Sequence, residues 1–196
     1  MDFELPELPY PRDALVPAMS PETIECHYDR IHRGYLGQLE NALRGRSEAD
    51  ESIEQIVLGS SSQLFNLAAQ VYAHGLFWPS LEPGGGGPPP TGPVADLLER
   101  DFGGYDPFRR EWVRAGCERF GPGYLWLTLD EGRAEILATP NAETPLAMDL
   151  YPLLVVDLWE HAYFLDYRER RERYLEVLCE RLLSWRFAEE RLGAAG

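Results

Sequence analysis

Four histidines, at positions 27, 32, 74 and 161, are the side chains in this sequence best suited to hold a transition metal. A lone histidine on a helix is more often a hydrogen-bonded structural residue than a ligand, so context decides. His27 and His74 fall on two separate predicted helices. Asp157 and His161 form a D-x-x-x-H pair where the apolar run LLVVDL (153–158) gives way to a polar segment. A carboxylate at the end of an otherwise apolar strand is unfavourable unless something pairs with it, and a metal ion is one such partner. Three imidazoles and one carboxylate suit a divalent or trivalent first-row metal with an open position. The set has no thiolate, which argues against a structural zinc site.

These groups lie far apart in sequence, so the fold must bring them together. Ser20-Pro21 reads as an N-cap followed by proline at the first helical position. The spacing of Ile24, Tyr28, Ile31, Tyr35, Leu39 and Leu43 predicts a helix from there to about residue 44. A second helix is predicted over 63–77, burying Leu64, Leu67, Ala68 and Val71. The stretch GGGGPPPTGP (84–93) prevents helix and sheet alike and reads as a spacer. The chain therefore divides into a helical domain over 1–84, a Gly/Pro-rich linker over 85–93 and an α+β domain over 94–196. In the latter, 94–102 and 108–120 read as helices. Segments 124–129 and 135–139 read as strands joined at Asp130-Glu131-Gly132, 153–158 as a buried strand, and 171–192 as one final amphipathic helix. The fold class is α+β.

The 196 residues carry 33 acidic and 18 basic side chains, a net charge of −15, and every basic residue is arginine. Such a surface disfavours nucleic acid and anionic membranes as partners. It also repels a small anionic substrate at long range, which would need local arginine guidance. No stretch approaches the roughly 18 apolar residues of a membrane span, and no leader segment is visible at the acidic, proline-rich start. Three cysteines, Cys26, Cys117 and Cys179, are an odd and sparse set, expected to be free thiols in a reducing cytoplasm.

Longer motifs add to this. FELPELPYPRDALVPAMSPETIECHYDRIHRGYLGQL has an LPY arm and a helical His followed eight residues later by Tyr. FNLAAQVYAHGLFW, GPGYLWL, NAETPL and DLWEHAYFLDYR follow in order. With these, the sequence resembles the iron/manganese superoxide dismutases nearly end to end, and D-x-W-E-H-A-Y is a highly specific signature. The resemblance implies an N-terminal helical hairpin domain and a C-terminal α/β domain with a small three-stranded antiparallel sheet. It implies dismutation of superoxide to dioxygen and hydrogen peroxide at one iron per subunit, or manganese in its place, held by His27, His74, Asp157 and His161. It further implies a homodimer or higher homo-oligomer.

By the same resemblance Tyr35 is the tyrosine closing the substrate funnel and hydrogen-bonding a glutamine, here Gln70. Trp78, Trp126 and Trp159 form an aromatic wall, and Glu160 reaches the partner's metal-binding histidine. Gln70 lies one turn before His74 and so shares its face. Gln70 together with Ala142 matches the iron-type arrangement, since manganese-type members place the glutamine at position 142. Arg30 and Arg168 are candidates for the local positive field, or plain solvated arginines. Several positions depart from the pattern. Ile31 replaces the histidine that joins the funnel tyrosine to a tyrosine of the other subunit, matched here by Tyr163, and Ile31 makes no hydrogen bond. Tyr28 and Ala73 also differ, and His32 has no ligand role. These departures keep open a catalytically weakened, metal-binding or interaction protein of the same fold. A non-haem iron oxygenase, with two histidines and one carboxylate, fits less well.

Overall fold

The computed structural model describes residues 3–89 and 91–195. Met1, Asp2, Pro90 and Gly196, which fall in the outer ends and linker of the division drawn above, lie outside the described residues. Ser20 caps the first helix as its residue type predicts, its side chain accepting from the Thr23 N–H at 3.2 Å. That helix begins as α1 (Pro21–Ile24), passes through a π-helical stretch (Glu25–His32) and continues as α2 (Arg33–Leu43). Apolar periodicity predicts a helix here but not its register. The wider π turn puts His27, Tyr28 and His32 together in the interior. Such turns are short and often mark functional sites.

A helix that periodicity alone does not predict, α3 (Ile53–Gly59), starts at a capping box between Ser52 and Gln55. Helix α4 (Ser62–Phe77) follows and packs antiparallel to α2, completing the hairpin. It is buried at every position from Leu67 to His74.

Next in the chain, α5 (Pro93–Phe102) and α6 (Tyr105–Glu118) lead into the sheet. Its strands are β1 (Gly123–Asp130), β2 (Arg133–Pro140) and β3 (Tyr151–Asp157), antiparallel, in the order β2-β1-β3. The β1–β2 turn is two residues long, with Glu131 and Gly132 both at positive φ (46° and 81°). This is the turn geometry whose twist matches a right-handed hairpin. The register sets Tyr124 opposite Asp157, and Trp126 opposite Val155. Helices α4 and α6 cover the sheet, which explains why β1 is buried from Gly123 to Leu129.

Two sequence expectations are corrected. The predicted final helix is two, α8 (Arg171–Arg181) and α9 (Trp185–Ala194), with α7 (Phe164–Tyr167) a short turn before them. The break at 182–184 exists because that backbone bonds elsewhere. Ser184 N–H donates to the Ser80 carbonyl at 2.9 Å, and Glu82 N–H to the Leu182 carbonyl at 2.7 Å. The glycine stretch, read as a spacer, is stitched to this same break. Gly86 N–H donates to the Leu183 carbonyl, Gly87 N–H to that of Cys179, and Trp185 Nε1–H to that of Gly87.

Candidate metal centre

The π turn of the first helix contributes His27, α4 contributes His74, the end of β3 contributes Asp157, and a 3₁₀ turn (Glu160–Ala162) contributes His161. Asp157 Oδ2 lies 3.1 Å from His27 Nε2, 3.2 Å from His161 Nε2 and 3.6 Å from His74 Nε2. One ligating atom from each of the four falls within 4.8 Å of the others. His27, His74 and Asp157 are fully buried.

The backbone holds these groups in place. Asp157 Oδ1 accepts from the Trp159 N–H at 2.7 Å, which turns the chain toward His161. His74 Nδ1–H donates to the Gln70 carbonyl at 2.8 Å, so its Nε2 is left with a lone pair. That Nε2 is buried and finds no hydrogen-bond partner among the described residues. An orphaned buried imidazole nitrogen beside a carboxylate and two further imidazoles is what a site for a metal ion requires. Asp166, just past His161, accepts from Ser20 N–H (2.9 Å) and Thr23 Oγ1–H (2.7 Å), clamping the start of the His27 helix to the His161 segment.

Electrostatics agree with the geometry. Burial lowers the pKa of His27 and pushes His74 well below the usual range. Burial alone would raise the Asp157 pKa, but His161 and His27 outweigh it and hold the carboxyl far below its usual range. At neutral pH the protein thus offers an ionised carboxylate beside the neutral imidazoles of His27 and His74, the protonation state that metal binding needs. His32 is pushed down to about 3, chiefly by burial.

A pH dependence follows, and its sign is fixed. Unfolded histidines take up protons near pH ~6.5 whereas these folded ones resist, so the unfolded chain binds more protons below that value. Stability is complete above it and declines as pH falls. Asp157, ionised below its ordinary range, adds a loss in the same direction at still lower pH. The guanidinium midpoint of the metal-free protein should fall steadily from about pH 7 to about pH 4.5. A flat profile would contradict the buried, neutral imidazoles.

A surface cleft of about 350 Å³ beside the cluster is lined by Tyr35, Asn66, Leu67, Gln70, Asn141, Ala142 and Trp159. Trp78 lies against His27 (ring centroids 4.8 Å apart) and Trp159 stacks on His161 (5.7 Å). Trp126 instead packs on Tyr124 and donates to Thr139 Oγ1. The aromatic surround excludes water and strengthens electrostatics inside it. His32 sits beside the cluster with its Nδ1 occupied by the Trp78 N–H at 3.2 Å. Neither Arg30, paired with Glu25, nor Arg168, over the Phe164 ring, lines the cleft.

The side-chain partner that Gln70 takes is Tyr124, whose hydroxyl donates to Gln70 Oε1. Tyr124 was not singled out by sequence reading. The signal was its place in GPGYLWL, two residues before Trp126 and so on the same strand face. Ile31 is partly exposed. Glu160 and Tyr163 border a second surface cleft with Arg171, whose Nε–H donates to the Tyr163 hydroxyl at 3.1 Å. The cysteines are free, with Cys179 buried and Cys117 exposed.

Comparison with known proteins gives two family matches in chain order. Residues 2–82 match the alpha-hairpin domain of the iron/manganese superoxide dismutases, and residues 90–191 match their C-terminal domain. The chain is 44% identical over 195 residues to proteins named "Superoxide dismutase [Fe]" from Salmonella typhimurium and from Escherichia coli K12, covering 99% of this chain and 100% of each relative. A protein of the same name from Synechococcus elongatus is 41% identical over 200 residues, covering 100% of this chain and 99% of the relative.

Proposed function

The chain belongs to the iron/manganese superoxide dismutase family, and from that membership we propose that it dismutates superoxide at one iron ion per subunit held by His27, His74, Asp157 and His161. The observation that carries this is the convergence of three imidazole Nε2 atoms on one buried aspartate oxygen beside a surface cleft. Two superoxide ions and two protons give dioxygen and hydrogen peroxide, one superoxide losing the electron that the other gains. A bound iron ion would supply the alternation between +3 and +2 that carries this electron.

The protein's own groups orient substrate and manage protons. Tyr35 stands in the cleft lining, and burial raises its pKa, so at neutral pH its hydroxyl holds a proton that the peroxide product needs. Gln70 places a carboxamide in the same cleft. Among the described residues the cleft lining carries no charged side chain, so the strongly negative surface is not relieved at its mouth. Iron is preferred over manganese because Gln70 is present and position 142 is alanine, and the named relatives carry iron in their names.

We take 1–84 and 94–196 as the two domains, and Glu160 and Tyr163 as part of a homodimer face. The free thiols suit a cytoplasmic setting, and no helix among the described residues is long and apolar enough to cross a membrane. Purified protein should contain one iron per subunit by elemental analysis and dismutate superoxide. Inactivity after verified loading with iron, and separately with manganese, would overturn the assignment and favour a binding protein of the same fold. Ile31→His should raise turnover, measured by pulse radiolysis, if the missing hydrogen-bonding group at that position limits proton delivery.

A further inference from the structure

We propose that the cleft between α8 and the arm at Pro17-Ala18 is a binding site for a phosphoryl group, separate from the metal cluster, with which it shares no residue. The sequence sets out its arginines. Positions 170, 173, 177 and 181 recur every three or four residues, so Arg170, Arg173, Val177 and Arg181 share one face of α8 and its N-cap. With Asp166 and Tyr167 of α7, that face lines a cleft of about 330 Å³. Val177 and Ala18 are buried there and bring no charge. The whole chain carries 33 acidic side chains against 18 basic. This lining reverses the balance, with three arginines against a single aspartate among the described residues.

That aspartate is already engaged, since its Oδ2 accepts from Ser20 N–H and Thr23 Oγ1–H. Arg173 is shared with Glu176 (3.0 Å) and Glu180 (3.7 Å). Arg170 and Arg181 form no ion pair among the described residues. Arg170 spends its Nε–H on the Tyr167 carbonyl at 3.1 Å, which leaves the outer edge of its guanidinium free. The three positive charges also surround one point. The Tyr167 hydroxyl is fixed by donating to the Ala18 carbonyl at 2.6 Å. Burial pushes its pKa up to about 12, Asp166 adds to this, and Arg173, Arg181 and Arg170 all act in the opposite direction. Like charges gathered in this way repel, and a bound anion relieves them. A guanidinium is a planar fork that matches pairs of phosphoryl oxygens. A phosphate monoester brings three such oxygens and close to two negative charges, enough for two forks at once.

Calorimetric titration with inorganic phosphate, AMP and adenosine tests this. Phosphate and AMP should bind the iron-loaded protein and continue to bind after the metal is removed, whereas adenosine should not bind. Equal affinities for the two would identify the free ion as the ligand, and tighter binding of AMP an organic phosphate; either result supports the site. Arg170→Gln and Arg181→Gln, both at exposed positions, should each weaken phosphate binding about tenfold or more, the effect of losing one charge-assisted hydrogen bond. Arg114→Gln makes the same change of charge on α6, at an arginine paired with Glu118, and should leave phosphate affinity as it was. Three results would overturn the proposal: no binding of either phosphate-bearing probe at millimolar concentration, binding that vanishes with the metal, or a loss in Arg114→Gln as large as in Arg170→Gln and Arg181→Gln. Unchanged affinity in both cleft variants would overturn it as well.

Discussion

Asp157→Asn yields a protein that folds but does not keep iron. The substitution preserves size and removes the one charge at the centre of the cluster, whose Oδ2 lies within 3.6 Å of all three imidazole nitrogens. Losing a mere hydrogen-bond partner of a metal ligand typically weakens affinity about 10–100-fold, and losing the carboxylate itself should exceed that. After dialysis against a chelator, iron should fall below about a tenth of the wild-type content, and dismutase activity should fall with it. His32→Gln is the matched comparison. His32 is equally buried and stacks on His74 at 5.2 Å, but its Nδ1 is taken by Trp78. That variant should keep its iron. Loss of iron from His32→Gln and its retention by Asp157→Asn would reverse the assignment of the two residues.

Gly86→Ala should destabilise the fold by about 3 kcal/mol or more, lowering the melting temperature by roughly 6–12 °C. Two effects combine. Gly86 has φ of +74°, and an added Cβ would lie 2.2 Å from the Arg181 nitrogen and 2.4 Å from the Glu180 carbonyl carbon. Both are backbone atoms at the end of α8, where nothing can swing aside. Gly87 has nearly the same φ, +69°, but open space around it. Gly87→Ala should therefore show only the conformational penalty, about 1–2 kcal/mol. Equal melting temperatures for the two variants would mean that the glycine stretch does not pack against residues 179–185 as described.

The same stretch marks where sequence reasoning stopped. Among the described residues 84–92 have neither helix nor strand, and α5 starts at Pro93, but glycine and proline density says nothing about tertiary hydrogen bonds. A glycine that permits close backbone approach looks the same in sequence as one that permits freedom. The break between α8 and α9 was hidden for a related reason. Periodicity over 171–192 is continuous, and only the bonds from residues 182–184 to Ser80, Glu82 and Gly86 interrupt it. Ser184 was a legible N-cap signal, as was the Ser52/Gln55 capping box of α3.

By contrast, strand β3 was readable because a run of six apolar or terminal acidic residues between polar segments has few alternatives. Its buried Asp157 was readable because an isolated carboxylate there demands a partner. His27, His74 and His161 could not be tied to it by spacing, since each arrives from a different element. Their convergence is a tertiary fact, supplied at the sequence level only by family resemblance. The one local signal for Tyr124, its place two residues before Trp126 on the same strand face, does not say what its hydroxyl meets. Its role depends on the register that sets it opposite Asp157, and on α4 bringing Gln70 and His74 to the same hydroxyl.

The central claim is best tested by a crystal structure of iron-loaded protein with data collected on both sides of the iron absorption edge. A single anomalous peak should lie between His27 Nε2, His74 Nε2, Asp157 Oδ2 and His161 Nε2, bonded to all four. A peak elsewhere, or a pocket in which the aspartate pairs directly with the imidazoles and no iron signal is found, would contradict it.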